Sequence, residues 1–124
     1  MWNIEYTYIE EWLDTLDNEA VSMIFAALER LQEEGPNLGR PLVDTLSNTN
    51  VKNLKELRPA SPKGSEMRII FAFDPKRSAI MLLGGDKAKG KNNKSKWADW
   101  YRRNIPRAEK IFREHLDKIG ENNG

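Results

Sequence analysis

The sequence contains no cysteine and only one histidine, His115. Without thiols there is no disulfide frame, no thiolate zinc site and no cysteine nucleophile. One imidazole is too few for a histidine-rich metal site. No apolar run approaches the roughly 20 residues that a membrane span needs. The start, Met1-Trp2-Asn3-Ile4-Glu5, lacks the basic segment and apolar run of a signal peptide. The expected compartment is therefore the cytoplasm. At 124 residues, 39% hydrophobic and 31% charged, the chain is expected to form one domain over 1–124, because domains commonly run to about 100–200 residues.

The formal net charge of +1 averages over two opposite halves. Residues 1–50 hold ten Asp/Glu against only Arg30 and Arg40, a net −8, whereas residues 51–124 hold eighteen Lys/Arg against nine Asp/Glu, a net +9. Such segregation implies a dipole with one face attractive to a polyanion. An unevenly solvated surface is the plainer alternative.

Residues 2–8 alternate and are rich in aromatic and β-branched types, which predicts a strand. A short helix is expected over 9–16. Asp17 or Asn18 can cap a longer one, with Val21, Ile24, Phe25, Leu28 and Leu31 forming its apolar stripe. Gly35-Pro36 ends it. Residues 35–50 read as a connecting loop, followed by strands over 51–58, 67–74 and 78–84. The break at Asp74-Pro75-Lys76-Arg77-Ser78 makes the last two an antiparallel hairpin. The segment 86–96 holds five lysines and no apolar period, and is expected to be mobile. Ser95 can cap a helix with Trp97, Trp100, Tyr101 and Ile105 on one face, and Pro106 predicts a kink or break near Asn104. A second segment runs through Ala108, Ile111, Phe112, Leu116 and Ile119. The expected fold is α+β, in the order β-α-α-β-β-β-α, with the helices on one face of a small antiparallel sheet.

If Ile69, Phe71 and Phe73 face the helices, alternation puts Arg68, Ile70, Ala72 and Asp74 on the opposite face. Glu56 and Arg58 share one face of the preceding strand, and Lys55 and Leu57 the other. Parity does not fix which face is open, because Leu54 and Leu57 point opposite ways and a bulge can intervene; Arg58 and Arg68 are nevertheless candidate neighbours across a hairpin. Paired guanidinium groups repel unless an anion lies between them, and phosphate fits that role. The alternative is that each pairs with Glu56 or Asp74.

The segments Gly35-Pro36-Asn37-Leu38-Gly39-Arg40-Pro41-Leu42-Val43, Asn53-Leu54-Lys55-Glu56-Leu57-Arg58, Arg68-Ile69-Ile70-Phe71-Ala72-Phe73-Asp74-Pro75 and Gly85-Asp86-Lys87 resemble the RelE/ParE toxin superfamily. They look most like its HigB branch, the phage-derived Gp49-like proteins. Trp100-Tyr101 and Ile105-Pro106-Arg107-Ala108 extend the likeness over nearly the whole chain. The resemblance implies the toxin of a bacterial type II toxin–antitoxin system, an endoribonuclease that cuts mRNA in the ribosomal A site. It also implies a cognate antitoxin of helix-turn-helix, HigA-like type, and chemistry without metal or cofactor. The lysine segment after Gly85-Asp86-Lys87 is longer and richer in lysine than the family pattern. Gly84-Gly85 lacks a phosphate-cradling signature and reads as a strand-end turn.

For such a reaction the RNA 2′-OH attacks the adjacent phosphorus, giving a 2′,3′-cyclic phosphate and a 5′-OH. The protein must align the attack, absorb phosphorane charge and move two protons. His115, near the C-terminal helix end, reads as a surface or packing residue. Crowding by arginines lowers a lysine's pKa, so Lys87 and Lys55 are candidates for the base or for phosphate contact. Arg58, Arg68 and Arg77 suit phosphorane stabilisation. Tyr101 either stacks on a base or donates a proton, or else belongs to the core. Asp86 orients Lys87, acts as base or caps a turn. Lys76, Arg77, Lys89, Lys91, Lys94, Lys96 and Arg102 are candidate RNA contacts, the lysine run serving the backbone rather than catalysis. Trp97 and Trp100 either stack on bases or pack in the core. The rival readings are a ParE-like gyrase inhibitor and a non-catalytic RNA-binding module. The acidic half either docks the antitoxin or is simply solvated.

Overall fold

The structure, a computed structural model, describes the backbone of residues 1–88 and 93–121 and the side chains of residues 1–88 and 98–120. The elements run β1 (Asn3–Glu5), α1 (Glu10–Leu13), α2 (Asn18–Glu34), β2 (Val43–Thr45), β3 (Lys55–Leu57), β4 (Met67–Phe73), β5 (Ser78–Asp86) and α3 (Asn93–Glu121), with single 3₁₀ turns at Thr7–Ile9 and Gly35–Asn37. The five strands form one sheet in the order β1-β5-β4-β3-β2. The α+β class holds, with two corrections to the expected arrangement. First, β1 pairs with β5 in parallel, so the sheet is mixed. Second, the helices cover both faces, because the apolar alternation of β4 and β5 serves two cores.

Ile69, Phe71, Ala79 and Met81 pack with Ile24, Leu28 and Leu31 of α2. Ile70, Ala72, Ile80 and Leu82 pack with Trp100, Ile105, Ala108 and Phe112 of α3. A strand buried on both faces has no polar alternation to display. This explains why the face of Ile70 and Ala72, expected to be open, is instead closed by α3. The strand β2, which pairs with β3 from Val43↔Leu57 to Thr45↔Lys55, lies in the segment read as loop. Three residues are too few to show a period.

Asp17 caps α2, its carboxylate accepting from the Ala20 N–H at 2.9 Å. The helix ends at Gly35, whose φ is +56° and whose missing Cβ leaves room for the Trp2 indole, 2.3 Å from where that atom would sit. On the opposite face, α3 is one helix with Pro106 inside it, not two segments, and it begins before Ser95. Proline removes one rung of the ladder, but Trp100, Ile105, Ala108 and Phe112 hold the helix to the sheet on both sides of it. Asn104 donates to the Trp100 carbonyl at 2.8 Å.

In the β4–β5 ladder the register shifts between Ile70↔Leu83 and Phe71↔Met81, a bulge with Leu82 as the extra residue. It resets the alternation of β5. Leu82 and Leu83 both face α3; Gly84 then meets Trp12, and Gly85 meets Trp100. Gly84-Gly85 is thus not a turn but part of β5, touched by one tryptophan on each face. A Cβ on Gly84 would sit 2.2 Å from the Trp12 ring and one on Gly85 2.7 Å from Trp100 Nε1.

His115 is a buried packing residue stacked on Phe112. Its Nε2 lies 2.9 Å from Asp74 Oδ2, and its Nδ1 lies 3.1 Å from the Tyr8 hydroxyl. Asp74 Oδ1 accepts from the Lys76 and Ser78 N–H groups at 3.0 Å, so the histidine ties the β4–β5 turn to α3. No helix among the described residues is long and apolar enough to cross a membrane.

Overpacking a closed core costs about 1–3 kcal/mol. Gly84→Ala is therefore expected to lower denaturant-measured stability by that order, whereas Gly120→Ala, with open space around it, is expected to be neutral or slightly stabilising. His115→Ala leaves Asp74 Oδ2 buried without its partner and is expected to cost about 1–3 kcal/mol in the same measurement.

Candidate active site

The end of the sheet where β3 leaves, β4 begins and β5 ends faces the N-terminal part of α3. The β3–β4 register runs from Lys55↔Phe71 to Leu57↔Ile69. Extended by one residue, it sets Arg58 beside Arg68, and Arg68 pairs with Gly85 on β5. The Lys87 N–H continues the ladder to the Glu66 carbonyl at 3.0 Å. Trp100 docked on Gly85 places the next residue, Tyr101, over Lys87: Nζ lies 3.4 Å from the phenol oxygen and 5.4 Å from the ring centre. Between these groups and residues 46–50 opens a cleft of about 810 Å³, lined among others by Glu56, Arg58, Lys87, Tyr101 and Arg102.

Ion pairs position the cations. Arg58 Nε donates to Glu56 Oε1 at 2.8 Å, and its Nη2 donates to Asp44 Oδ2 at 3.1 Å. Pairing with Glu56 thus occurs as the plainer reading allowed, but Asp74 is taken by His115. Arg68 Nη1 donates to its neighbour's carbonyl, Met67 O, at 2.8 Å. Arg68 Nη2 and Lys87 Nζ share Glu66 Oε2 at 3.9 and 3.8 Å. Among the described residues, two buried polar atoms have no hydrogen bond of ordinary geometry: Glu56 Oε2 and Arg68 Nε.

Burial lowers the Lys87 pKa, with the Arg68 charge second, while Glu56 and Glu66 oppose the shift. Crowding by arginine is thus the lesser cause. Burial also pushes the Tyr101 phenol well above its usual range, and the neighbouring Glu56 carboxylate pushes it further. Hydrogen bonding to Glu56 and the charge of its carboxylate both hold the proton on this phenol. Tyr101 therefore stays an O–H donor at neutral pH.

Of the residues expected at the site, Arg58, Lys87, Tyr101 and Arg102 line the cleft, and Arg68 adjoins Lys87 through Glu66. Arg102 also pairs with Asp99 on its own helix. Lys55 points to the other face of β3 and donates to Thr45 Oγ1 at 3.2 Å. Lys76 and Arg77 sit in the β4–β5 turn at the far end of the hairpin, where Arg77 stacks over Trp2 at 4.6 Å. Asp86 caps a turn, Oδ1 accepting from the Glu66 and Ala88 N–H groups at 2.8 and 2.9 Å. Trp100 is a core residue. Lys89, Lys91, Lys94, Lys96 and Trp97 lie outside the residues with described side chains. Sequence reasoning noted Glu56 only as a partner for arginine; a buried carboxylate facing a cleft carries no period that would reveal it. The Ser47–Asn50 wall was missed entirely.

The mixed five-stranded sheet, with a cleft of cations and a phenol at one end, is a RelE-like fold. Residues 11–113 match the family described as phage-derived protein Gp49-like (DUF891), and the chain belongs to that family, within the HigB-like branch of the RelE/ParE superfamily. It is 50% identical over 115 residues to "Putative toxin HigB2" of Mycobacterium tuberculosis (strain ATCC 25618 / H37Rv), covering 93% of this chain and 54% of that protein. It is 46% identical over 101 residues to "Putative toxin HigB3" of the same strain, covering 82% of this chain and 81% of that protein. The chain thus spans about half the length of the first relative.

The causes of the Lys87 shift carry opposite signs and are separable. In NMR of reductively methylated protein, Lys87 is expected to titrate below the ordinary lysine range. Arg68→Gln is expected to move it up, by removing a like charge, and Glu66→Gln to move it further down.

Proposed function

We propose that this chain is the toxin of a type II toxin–antitoxin system and acts as a ribosome-dependent, metal-free endoribonuclease on mRNA. The observation that carries the reading is the convergence of Glu56, Arg58, Lys87 and Tyr101 on one cleft, with Arg68 held next to Lys87 through Glu66. The names of the two relatives, both toxins of the HigB type, support the toxin assignment.

In this reading the scissile phosphate lies between the arginines and Lys87, whose charges offset that of the phosphorane. Glu56 Oε2 accepts the proton of the attacking 2′-OH. The bond from the 2′-oxygen to phosphorus forms as the bond to the 5′-oxygen breaks, leaving a 2′,3′-cyclic phosphate. Lys87, with its lowered pKa, or the protonated Tyr101 supplies the proton to the departing 5′-oxygen. Catalysis at the ribosome implies a cytoplasmic protein. The partner is a helix-turn-helix, HigA-like antitoxin, and the lysine-rich segment after Lys87 adds salt-sensitive attraction to RNA backbone.

Removing one charge-stabilising donor typically costs about 10²–10³ in rate. Arg68→Ala and Tyr101→Phe are each expected to reduce cleavage by about that factor, mapped by primer extension after induction, with circular dichroism unchanged. Growth arrest with DNA-damage signalling and no RNA ends would instead identify a gyrase inhibitor. Arrest undiminished by Arg68→Ala in the folded protein would remove the arginine from the mechanism.

A further inference from the structure

The cleft has two chemically different sides. One carries Glu56, Arg58, Lys87 and Tyr101. The other is the segment 46–50, whose exposed side chains Ser47, Asn48 and Asn50 line the cleft without a formal charge. Carboxamides and a hydroxyl present donors and acceptors together, which suits the edge of a nucleobase rather than a phosphate. The half-buried ring of Tyr101 lies on the same cleft and is the kind of aromatic face on which an unpaired base stacks.

This wall is held in place. Its neck is closed by the Leu46 N–H donating to the Leu54 carbonyl at 2.9 Å, and Leu46, Val51 and Leu54 pack into the core beneath α3. Glu109, buried on α3, directs a single oxygen to it: Oε2 accepts from the Thr49 hydroxyl at 2.5 Å and from the Asn50 N–H at 2.8 Å. The Val51 N–H returns to Thr49 Oγ1 at 3.1 Å. A loop joined to a helix by a buried carboxylate keeps its outward side chains in fixed positions, as discrimination among bases requires.

We propose that Asn48 and Asn50, with Ser47, read the edge of a base next to the cut and so set the sequence preference of the enzyme, and that Glu109 is the positioning residue that registers this wall against the catalytic side. The inference rests on the RNA-cleavage reading above and adds to it which part of the cleft selects the sequence.

The test is to map the new 5′-OH ends produced by the full-length protein in cells, for the wild type, Asn48→Ala, Asn50→Ala, Asn50→Asp, Glu109→Ala and Glu109→Gln. Losing a good base contact is worth about tenfold in discrimination, so the alanine variants are expected to flatten base preference at one position beside the cut by about that factor. Asn50→Asp replaces a carboxamide N–H donor with an acceptor and is expected to shift preference toward a base that presents an amino group there. Glu109→Ala is expected to flatten preference at the same position, and Glu109→Gln, which keeps an acceptor of the same shape, to restore part of it. A general weakening of cleavage without that pattern would reduce Glu109 to a structural residue and overturn its positioning role. If the Asn48 and Asn50 variants cut with wild-type base frequencies, the wall does not read sequence, though the cleavage reading survives. If the wild type itself leaves RNA uncut, the cleavage reading falls and this inference with it.

Discussion

Trp100 rests on Gly85, at the point where the Cβ of any other residue would stand 2.7 Å from the indole nitrogen. That contact sets the height of α3 above the sheet, and the candidate site depends on it. With Trp100 seated there, Tyr101 falls over Lys87, and Ala98, Ile105 and Glu109 form the helical wall of the cleft. The Trp12–Gly84 contact does the same for α1 on the opposite face. Both contacts need the bulge at Leu82, which turns Gly85 and Lys87 toward α3. Continued without it, the alternation of β5 would send both residues to the α2 side.

Electrostatics at the cleft follow from this packing. Closure by α3 buries Lys87 and Tyr101, and burial is the largest cause of both pKa shifts. Charge is nearly balanced there, since Glu56, Glu66 and Asp44 answer Arg58, Arg68 and Lys87. These largely buried pairs hold long, flexible cations at defined places, which limits their side-chain freedom.

Much of the fold was legible in the residue order. Asp17 or Asn18 and Gly35 marked the ends of α2, because a cap needs a side-chain acceptor and a positive φ favours glycine; the structure selects Asp17 as the cap. The β4–β5 hairpin followed from its turn residues. Arg58 and Arg68 were legible as possible neighbours across a hairpin, but parity left the open face undecided, and the β3–β4 register sets them side by side. The parallel β1, the short β2 and the second helical layer were not legible: strand direction, pairing partner and the cover over a doubly apolar strand are all long-range choices. Pro106 misled because its local cost was visible while the packing that offsets it was not.

Residue order thus determined most of the helices and the β4–β5 hairpin, the ends of α2 and the segregation of charge, all of which arise from neighbours within a few positions. Tertiary structure decided which cations meet. It excluded Lys55 by strand face and Lys76 and Arg77 by distance along the hairpin, and it added Glu56 and the wall held by Glu109. Those decisions turn on a bulge, on two glycine–tryptophan contacts and on a carboxylate reaching a loop about sixty residues earlier in the chain. None of them leaves a periodic mark, because each depends on atoms that become neighbours only when the sheet and α3 have closed on one another.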